Sequence, residues 1–522
     1  MDDAYEIGGV PQAPADSDGD GAPDFRDDDS DDDGIADAIE GSSDLDDDEI
    51  PNYLDDDSDG DCVPDALEGD GDPDGDGAPS FTDVDADGDG LGDEREDADC
   101  DGLVDQGETS PVDGDTDGDG VSDLVEVAAG TDPTDPGDNP QQNGDFVFVV
   151  PYEGDPDPDQ DDLDFSTSLK KVDLYVLMDL SGSMNDEATA VRNNMSTVVR
   201  QLTCPPLGSG DPDDCIRELW SGVGTFTYAE RNPYVNRLRI QPDPDATGPA
   251  IPAVDNASCS ACAEPHRLAA WATVTGLGFA SSGCSSADSF PAAGSCASSP
   301  AGPGAIGYPC FRPGALPVLL LATDEPSQYT CPSATTVINR ANSIGAKIIG
   351  ILGSSVAATT RDQLETLAEG TGAVTSGGTA LVFDGAGAGA SGAIENAIRT
   401  LANNVPLDVS AQPVDQGGDA VDAVSAFVDH LETLQLGTSA CAGGLTDSDS
   451  DGDGFDDLYR DVLPGTPVCW KLVAQPNTTV PATADPQLFR ARVDVYGGGV
   501  TLLDSRDVWF VVPPHLDGPG VD

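Results

Sequence analysis

Positive charge is what this chain has least of. It carries 21 Lys and Arg against 100 Asp and Glu, for a formal charge of -79. Roughly 60 of the acidic residues lie before residue 166, where the only basic residues are Arg26 and Arg95. Phosphate binding needs Lys and Arg, so nucleic acid is excluded as a partner. Attraction to an anionic membrane is excluded likewise, unless Ca²⁺ bridges the two surfaces. Histidine is almost absent: His266, His430 and His515 stand in separate segments. Histidine-based triads and the zinc-protease motif go with it, and no nucleophile elbow, phosphate loop or dinucleotide fingerprint is present. No apolar run reaches the roughly 18 residues that span a bilayer, so direct membrane insertion is not expected.

Cysteine, by contrast, is plentiful. Twelve residues, mostly in loop-like sequence, predict disulfides and an oxidising compartment. Near neighbours suggest Cys204–Cys215, Cys284–Cys296 and Cys310–Cys331, with Cys62 and Cys100 stapling the acidic region, although spacing does not fix connectivity. Cys259-Ser-Ala-Cys262 has zinc-like spacing but no second such pair, which favours disulfides there too. The opening Met1-Asp-Asp-Ala-Tyr-Glu lacks the basic and apolar regions of a secretory signal. A secreted or cell-surface chain is still expected, with the signal in a longer precursor.

The acid is patterned. Asp-x-Asp-x-Asp-Gly-x-x-Asp starts at residues 16, 29, 44, 57, 72, 85, 97 and 115. The spacing alternates between 13 and 15 residues through Asp85, which implies a two-site unit of 28. Oxygens at positions 1, 3, 5, 9 and 12 can converge on one Ca²⁺, with Gly at position six permitting the sharp turn. The expected ligands are Asp16, Asp18, Asp20, Asp24 and Asp27; Asp29, Asp31, Asp33, Asp37 and Glu40; Asp44, Asp46, Asp48, Asn52 and Asp55. They continue as Asp57, Asp59, Asp61, Asp65 and Glu68; Asp72, Asp74, Asp76 and Asp83; Asp85, Asp87, Asp89, Asp93 and Glu96. The last two sets are Asp97, Asp99, Asp101, Asp105 and Glu108, then Asp115, Asp117, Asp119, Asp123 and Glu126. Glu49 and Cys62 replace the Gly in two copies, and Ser80 stands at position nine of another. One small or apolar residue follows each turn, too few for a core. Metal must then supply the folding free energy. Halophilic adaptation would spread acid over every surface and does not explain a fixed pattern; a disordered acidic tail is the alternative.

These units, closed by Gly130-Thr-Asp-Pro133, resemble the thrombospondin type 3 calcium repeat over about residues 16–136. They depart from an EF-hand: the apolar residue is at position seven, and no amphipathic helices flank the loops.

Three further regions follow, making a multidomain chain. Residues 141–168 read as a linker after the 1–140 repeats, with a short strand at 146–150. Residues 169–405 alternate strands (172–178, 223–228, 235–240, 316–322, 347–352, 381–383) with helices (186–202, 265–274, 333–343, 360–369, 391–403). That order predicts an α/β doubly wound, Rossmann-like sheet with ligand sites at the carboxyl ends of its strands. Residues 406–522 turn β-rich, with Phe489, Ala491, Val493 and Val495 alternating inward, as in a β-sandwich. Within it lies an acidic loop at 447–460, with Asp449, Asp451, Asp453 and Asp457. Arg460 at its twelfth position predicts a weak calcium site.

The first α/β strand ends in Asp179-Leu-Ser181-Gly-Ser183, and Thr323-Asp324-Glu325 follows another apolar strand. One carboxylate and two hydroxyls on such a loop suit Mg²⁺ or Mn²⁺ with positions left open. Here the chain resembles the von Willebrand factor type A domain, closest to the integrin β-subunit version, by Asp179 to Glu187 and by Gly224-Thr-Phe-Thr-Tyr-Ala-Glu-Arg-Asn-Pro-Tyr234. The resemblance implies a metal-ion-dependent adhesion site of Asp179, Ser181, Ser183 and Asp324, and a neighbouring calcium site of Asp186 and Glu187. The third loop departs from the family: Ala263-Glu264-Pro265 offers Glu264, and Ser260 is a second candidate. The expected function is non-enzymatic adhesion to a protein or matrix ligand presenting an acidic residue. A structural stalk whose α/β domain mediates assembly is the alternative. A metal-dependent hydrolase is a further reading.

Overall fold

The computed structural model describes residues 15–514 apart from 143, 207, 212–214, 230, 256–262, 285–288, 355–356, 419 and 484–485. Its amino-terminal part is a chain of tight loops with very little regular structure. The peptide N–H of position nine donates to the carbonyl just before position one, as in Asp37 to Asp28 (3.1 Å), Asp65 to Asp56 (3.0 Å) and Asp93 to Val84 (3.0 Å). Position six takes a left-handed φ throughout: Gly34 at 104°, Gly90 at 95°, and also Glu49 at 80° and Cys62 at 92°. Side chains rarely adopt that conformation, so the turn outweighs the local preference of those two residues.

The two-site unit is visible as an alternation. Copies at 16–27, 44–55 and 72–83 make one 3₁₀ turn, at Asp24–Arg26, Asn52–Leu54 and Ser80–Thr82. Copies at 29–40, 57–68 and 85–96 make one α-turn, at Asp37–Glu40, Asp65–Glu68 and Asp93–Glu96; the copy at 115–126 extends it to Asp123–Ala129. Only the α-turn copies bury their apolar residue (Ile35, Val63, Leu91, Val121), while Tyr53 and Phe81 fill two of the others. Cys62–Cys100 joins the copy at 57–68 to the copy at 97–108.

Residues 141–168 are not a linker. They supply β1 (Phe146–Val149) and β2 (Gln160–Phe165) to the carboxyl-terminal sandwich. The α/β unit follows, with β3 (Lys171–Asp179), β4 (Glu218–Phe226), β5 (Val235–Gln241), β6 (Leu316–Thr323), β7 (Lys347–Leu352) and β8 (Val382–Asp384). The sandwich resumes with β9 (Leu407–Asp415), β10 (Val428–Leu434), β11 (Thr446–Ser448), β12 (Leu458–Val462), β13 (Val468–Ala474), β14 (Gln487–Gly497) and β15 (Thr501–Val512). Its sheets run β1-β15-β14-β9-β12-β11 and β10-β13-β2. The α/β unit is therefore inserted between two strands and the rest of one sandwich, and the expected start at residue 406 is corrected by the pairing of β1 with β15 and β2 with β13.

The α/β sheet runs β5-β4-β3-β6-β7-β8, parallel except for β5. Successive residues of a strand face opposite sides. Val172, Leu174, Val176 and Met178 of β3 pack with helices Asn185–Leu202 and Ala390–Asn404. Tyr175 and Leu177 pack with helices His266–Thr275, Ala334–Asn342 and Ala358–Gly370. Both faces are covered, which is why β6 is buried from Leu316 to Thr323 and reads as a continuous apolar run.

Among the described residues five disulfides form, with Cys204–Cys215 as expected. Cys284 pairs with Cys331 and Cys296 with Cys310, in place of the nearest-neighbour pairs; a distant segment is brought closer by the fold than the adjacent one. Cys259 and Cys262 lie outside the described residues. No helix of the described residues is long and apolar enough to cross a membrane.

Candidate metal centres

Each acidic loop turns some of its carboxylate oxygens to its own backbone. Position five accepts from the N–H of position seven, as in Ile35 to Asp33 (2.7 Å), Val63 to Asp61 (2.8 Å) and Leu91 to Asp89 (2.8 Å). Position one accepts from position six, as in Gly120 to Asp115 (2.8 Å). Position nine accepts both the N–H and the hydroxyl of position two: Ser30 to Asp37, Ser58 to Asp65, Thr116 to Asp123. This pairing of a Ser or Thr at position two with Asp at position nine is a signal that the sequence itself carries.

The other oxygens point inward without partners. In the copy at 29–40 these are Asp29 Oδ1, Asp31 Oδ2, Asp33 Oδ2 and both oxygens of Glu40; Asp59, Asp61, Glu68, Asp87, Asp93, Glu96, Asp117 and Glu126 contribute more. Burial, then neighbouring carboxylates, push Glu40 up to about 9 and Glu68 to about 11. A buried carboxylate oxygen left unpaired is costly, and the two arginines of this region cannot neutralise so many. Inward oxygens on a loop with sharp turns are a fit to a hard cation such as Ca²⁺. Triplets within 4.8 Å of one another include Asp16, Asp18 and Asp20; Asp29, Asp31 and Asp33; Asp44, Asp46 and Asp48; Asp57, Asp59 and Asp61. Asn52 Oδ1 and Ser80 Oγ, at position nine of their copies, are buried and unpartnered as well. The copy at 97–108 is looser: Glu108 accepts from the Asp105 N–H at 2.9 Å.

The loop at Asp449–Asp457 folds by the same bonds, with Ser450 donating twice to Asp457 and Phe455 N–H to Asp453 (2.8 Å), but it is exposed. Arg460 turns away to Ser448 and Asp408.

A second centre lies at the carboxyl ends of β3 and β6. The register sets Met178 beside Ala322, and so Asp179 beside Thr323. Asp179 is fully buried; its Oδ1 accepts from the Ser181 N–H at 2.8 Å and its Oδ2 from the Thr323 hydroxyl at 2.8 Å. The Ser181 and Ser183 hydroxyls are 3.1 Å apart, and Ser183 Oγ donates to Asp324 Oδ1 at 3.2 Å. Thr323 also reaches Glu264 Oε2 at 3.4 Å, while the Ser327 hydroxyl holds the Glu264 carbonyl at 3.2 Å. Thus Asp179, Ser181, Ser183, Glu264 and Asp324 come together. Thr323 joins them, a residue whose position at the end of an apolar strand was the available signal. Burial, and then the Asp179 charge, push Glu264 well above the usual carboxylate range; burial raises Asp324 to about 6. Ser183 is exposed, so the cluster meets solvent there. Three buried carboxylates with hydroxyls between them, and no ion pair to Lys or Arg among the described residues, again fit a divalent cation.

Asp186 and Glu187 differ in burial, and Glu187 Oε2 is buried without a hydrogen-bond partner. Asp186 is exposed, whereas Glu187 Oε1 accepts from Ser354 N–H (2.8 Å), the Ser354 hydroxyl and Gly387 N–H (2.8 Å). Burial would raise Glu187, but these donors bring it below its ordinary value. Its carboxylate ties the helix Asn185–Leu202 to the loops after β7 and β8. Ser260 lies outside the described residues.

Residues 115–136 match the family model described as Bacterial TSP3 repeat. No curated protein matches the chain in sequence. Among solved structures it is similar to a von Willebrand factor type A protein from Catenulispora acidiphila, at 11% identity over 70% of this chain and 71% of that one, with a TM-score of 0.29. It is also similar to proximal thread matrix protein 1 of the mussel byssus, at 13% identity over 47% and 48% (TM-score 0.28). A third is the pilus adhesin SpaC from Lactobacillus rhamnosus GG in its open conformation, at 12% over 69% and 45% (TM-score 0.28). The strand order and the metal centres, not these likenesses, carry the functional reading.

Proposed function

We propose that the chain is a secreted or cell-surface, calcium-binding adhesion protein. In this reading a calcium-ordered stalk carries a head that binds an acidic group of a protein or matrix ligand through Mg²⁺ or Mn²⁺. One observation carries it: the convergence of buried Asp179, Glu264 and Asp324 with Ser181 and Ser183 at a solvent-facing strand end. The stretch Asp179 to Glu187 supports the integrin β-type variant of the type A fold, with Asp186 and the unpartnered Glu187 Oε2 as the groups of an adjacent calcium site.

Asp179, Glu264, Asp324 and the two serine hydroxyls are the groups that would hold the ion. When bound, it would supply positive charge and a coordination position that a partner's carboxylate can fill. Thr323 fixes the orientation of Asp179 and Glu264, and Asp324 stays anchored by Ser183. Binding rather than turnover is the reading taken for this site.

The experiment is divalent-dependent binding to a panel of matrix proteins and acidic peptides, with Asp179→Ala as the variant. Binding that needs Mg²⁺ and is lost in the variant supports the proposal. Full affinity retained in Asp179→Ala overturns the adhesion-site mechanism. Hydrolysis of a substrate panel, lost with Asp179 or Asp324, would favour the metal-dependent hydrolase.

A further inference from the structure

The inward oxygens of one α-turn copy are not all its own. Oxygens of Asp33 and Glu40, from the copy at 29–40, lie within 4.8 Å of an oxygen of Asp65. Asp65 is position nine of the copy that starts 28 residues later. Asp65 is 0% exposed and Glu40 is 5% exposed, and neither Glu40 oxygen nor Asp33 Oδ2 has a hydrogen-bond partner. Asp65 accepts twice from Ser58 of its own copy, so the cluster joins that ordered carboxylate to the unpartnered oxygens of Glu40 and Asp33 and spans two copies.

The relation recurs along the region. The charges of Asp93 and of Glu68 and Asp61 in the preceding α-turn copy act on one another, as do those of Asp123 with Asp87 and Asp89. At that last step the backbone is joined too, since Leu124 N–H donates to Asp89 Oδ2 at 2.8 Å. Each position-nine aspartate also stays close to its own loop: Asp65 to Asp59, Asp93 to Asp85 and Asp87, Asp123 to Asp115 and Asp117. The copy at 115–126 has no successor. There Asn139 Nδ2 donates to Asp119 Oδ2 at 2.5 Å, on the position-five carboxylate that faces a following copy elsewhere.

We propose that Asp65, Asp93 and Asp123 are bridging ligands, each completing the Ca²⁺ site of the α-turn copy before it while ordering its own loop. The α-turn sites then form one linked series, built from the head outward, instead of independent beads. The proposal rests on the calcium reading of the stalk. It goes beyond that reading by giving the sites at 29–40, 57–68 and 85–96 a ligand from outside their own twelve residues.

Asp37 is the natural control. It has the same position and the same serine cap as Asp65, but among the described residues the copy before it makes a 3₁₀ turn and no α-turn copy precedes it. The test is amide hydrogen exchange of the full chain during a Ca²⁺ titration. Asp65→Asn should raise the Ca²⁺ midpoint of protection in both 29–40 and 57–68, on the order of tenfold or more for loss of a charged ligand. Asp37→Asn should affect 29–40 alone, and Asp93→Asn should move the affected pair to 57–68 and 85–96. Amides of β3 and β6 report that the head stays folded. If Asp65→Asn unprotects only 57–68, and Asp93→Asn only 85–96, the bridging is wrong and the sites are separate. If protection in the unaltered chain ignores both Ca²⁺ and EDTA, the calcium reading falls and the bridging with it.

Discussion

The Leu124 N–H donates to Asp89 Oδ2 at 2.8 Å across 35 residues of sequence. The Leu124 side chain is fully buried in a cluster with Leu91, Val121, Val125, Val147 and Val511. Val147 lies on β1 and Val511 on β15, so one residue links an acidic loop, the last helix of the stalk and the sandwich. Leu124→Ala should cost about 2–5 kcal/mol of local stability through the cavity it leaves. Hydrogen exchange should show faster opening at 115–129 with β3 and β6 unchanged. An unchanged pattern at 115–129 would show that the junction is held by something else.

Arg312 is a second joint. Its Nε donates to Asp173 Oδ1 at 2.7 Å and its Nη1 to Glu218 at 2.9 Å, with the guanidinium 4.0 Å from the Trp220 ring. Asp173 is 0% exposed on β3, and burial raises it even with Arg312 beside it. Arg312→Met leaves that carboxylate without its counter-ion and should cost about 3–5 kcal/mol. Adding Asp173→Leu should restore much of the loss in urea denaturation. A single variant as stable as the parent would contradict the account of this pair.

Asp504 sets an acid limit on the sandwich. Burial would raise it, but hydrogen bonds from Lys170 and the Ser166 N–H, with the charges of Lys170 and Arg506, bring it below its ordinary 3.8. A carboxyl lowered by folding contributes its stability above the unfolded value and loses it as pH falls through the folded one. The parent should therefore lose stability below about pH 4. Lys170→Met should be less stable at pH 7 but show a shallower acid slope. Equal slopes in the two proteins would remove this assignment.

Much of this architecture could be read from residues. The apolar runs at 316–322 and 347–352 became β6 and β7 because strands covered on both faces leave no polar alternation. Asp179-x-Ser-x-Ser marked the site because it ends such a strand. The 28-residue period was legible as spacing, and it appears as alternating 3₁₀ and α-turns. What escaped was long-range. β1 pairs Phe146 with Val508, and nothing in either segment names the other. Cys284 pairs with Cys331 because the fold, not the sequence interval, sets proximity. The contact of Asp65 with Glu40 and Asp33 is likewise invisible from a twelve-residue motif read one copy at a time.

The central claim is that cations, not apolar burial, decide the shape of residues 15–136. Small-angle X-ray scattering of the full chain in millimolar Ca²⁺ and then in excess EDTA tests it most directly. The account predicts a compact, reproducible profile with Ca²⁺ and a larger radius of gyration after chelation, reversed on adding Ca²⁺ back. Superimposable profiles in the two conditions would contradict it.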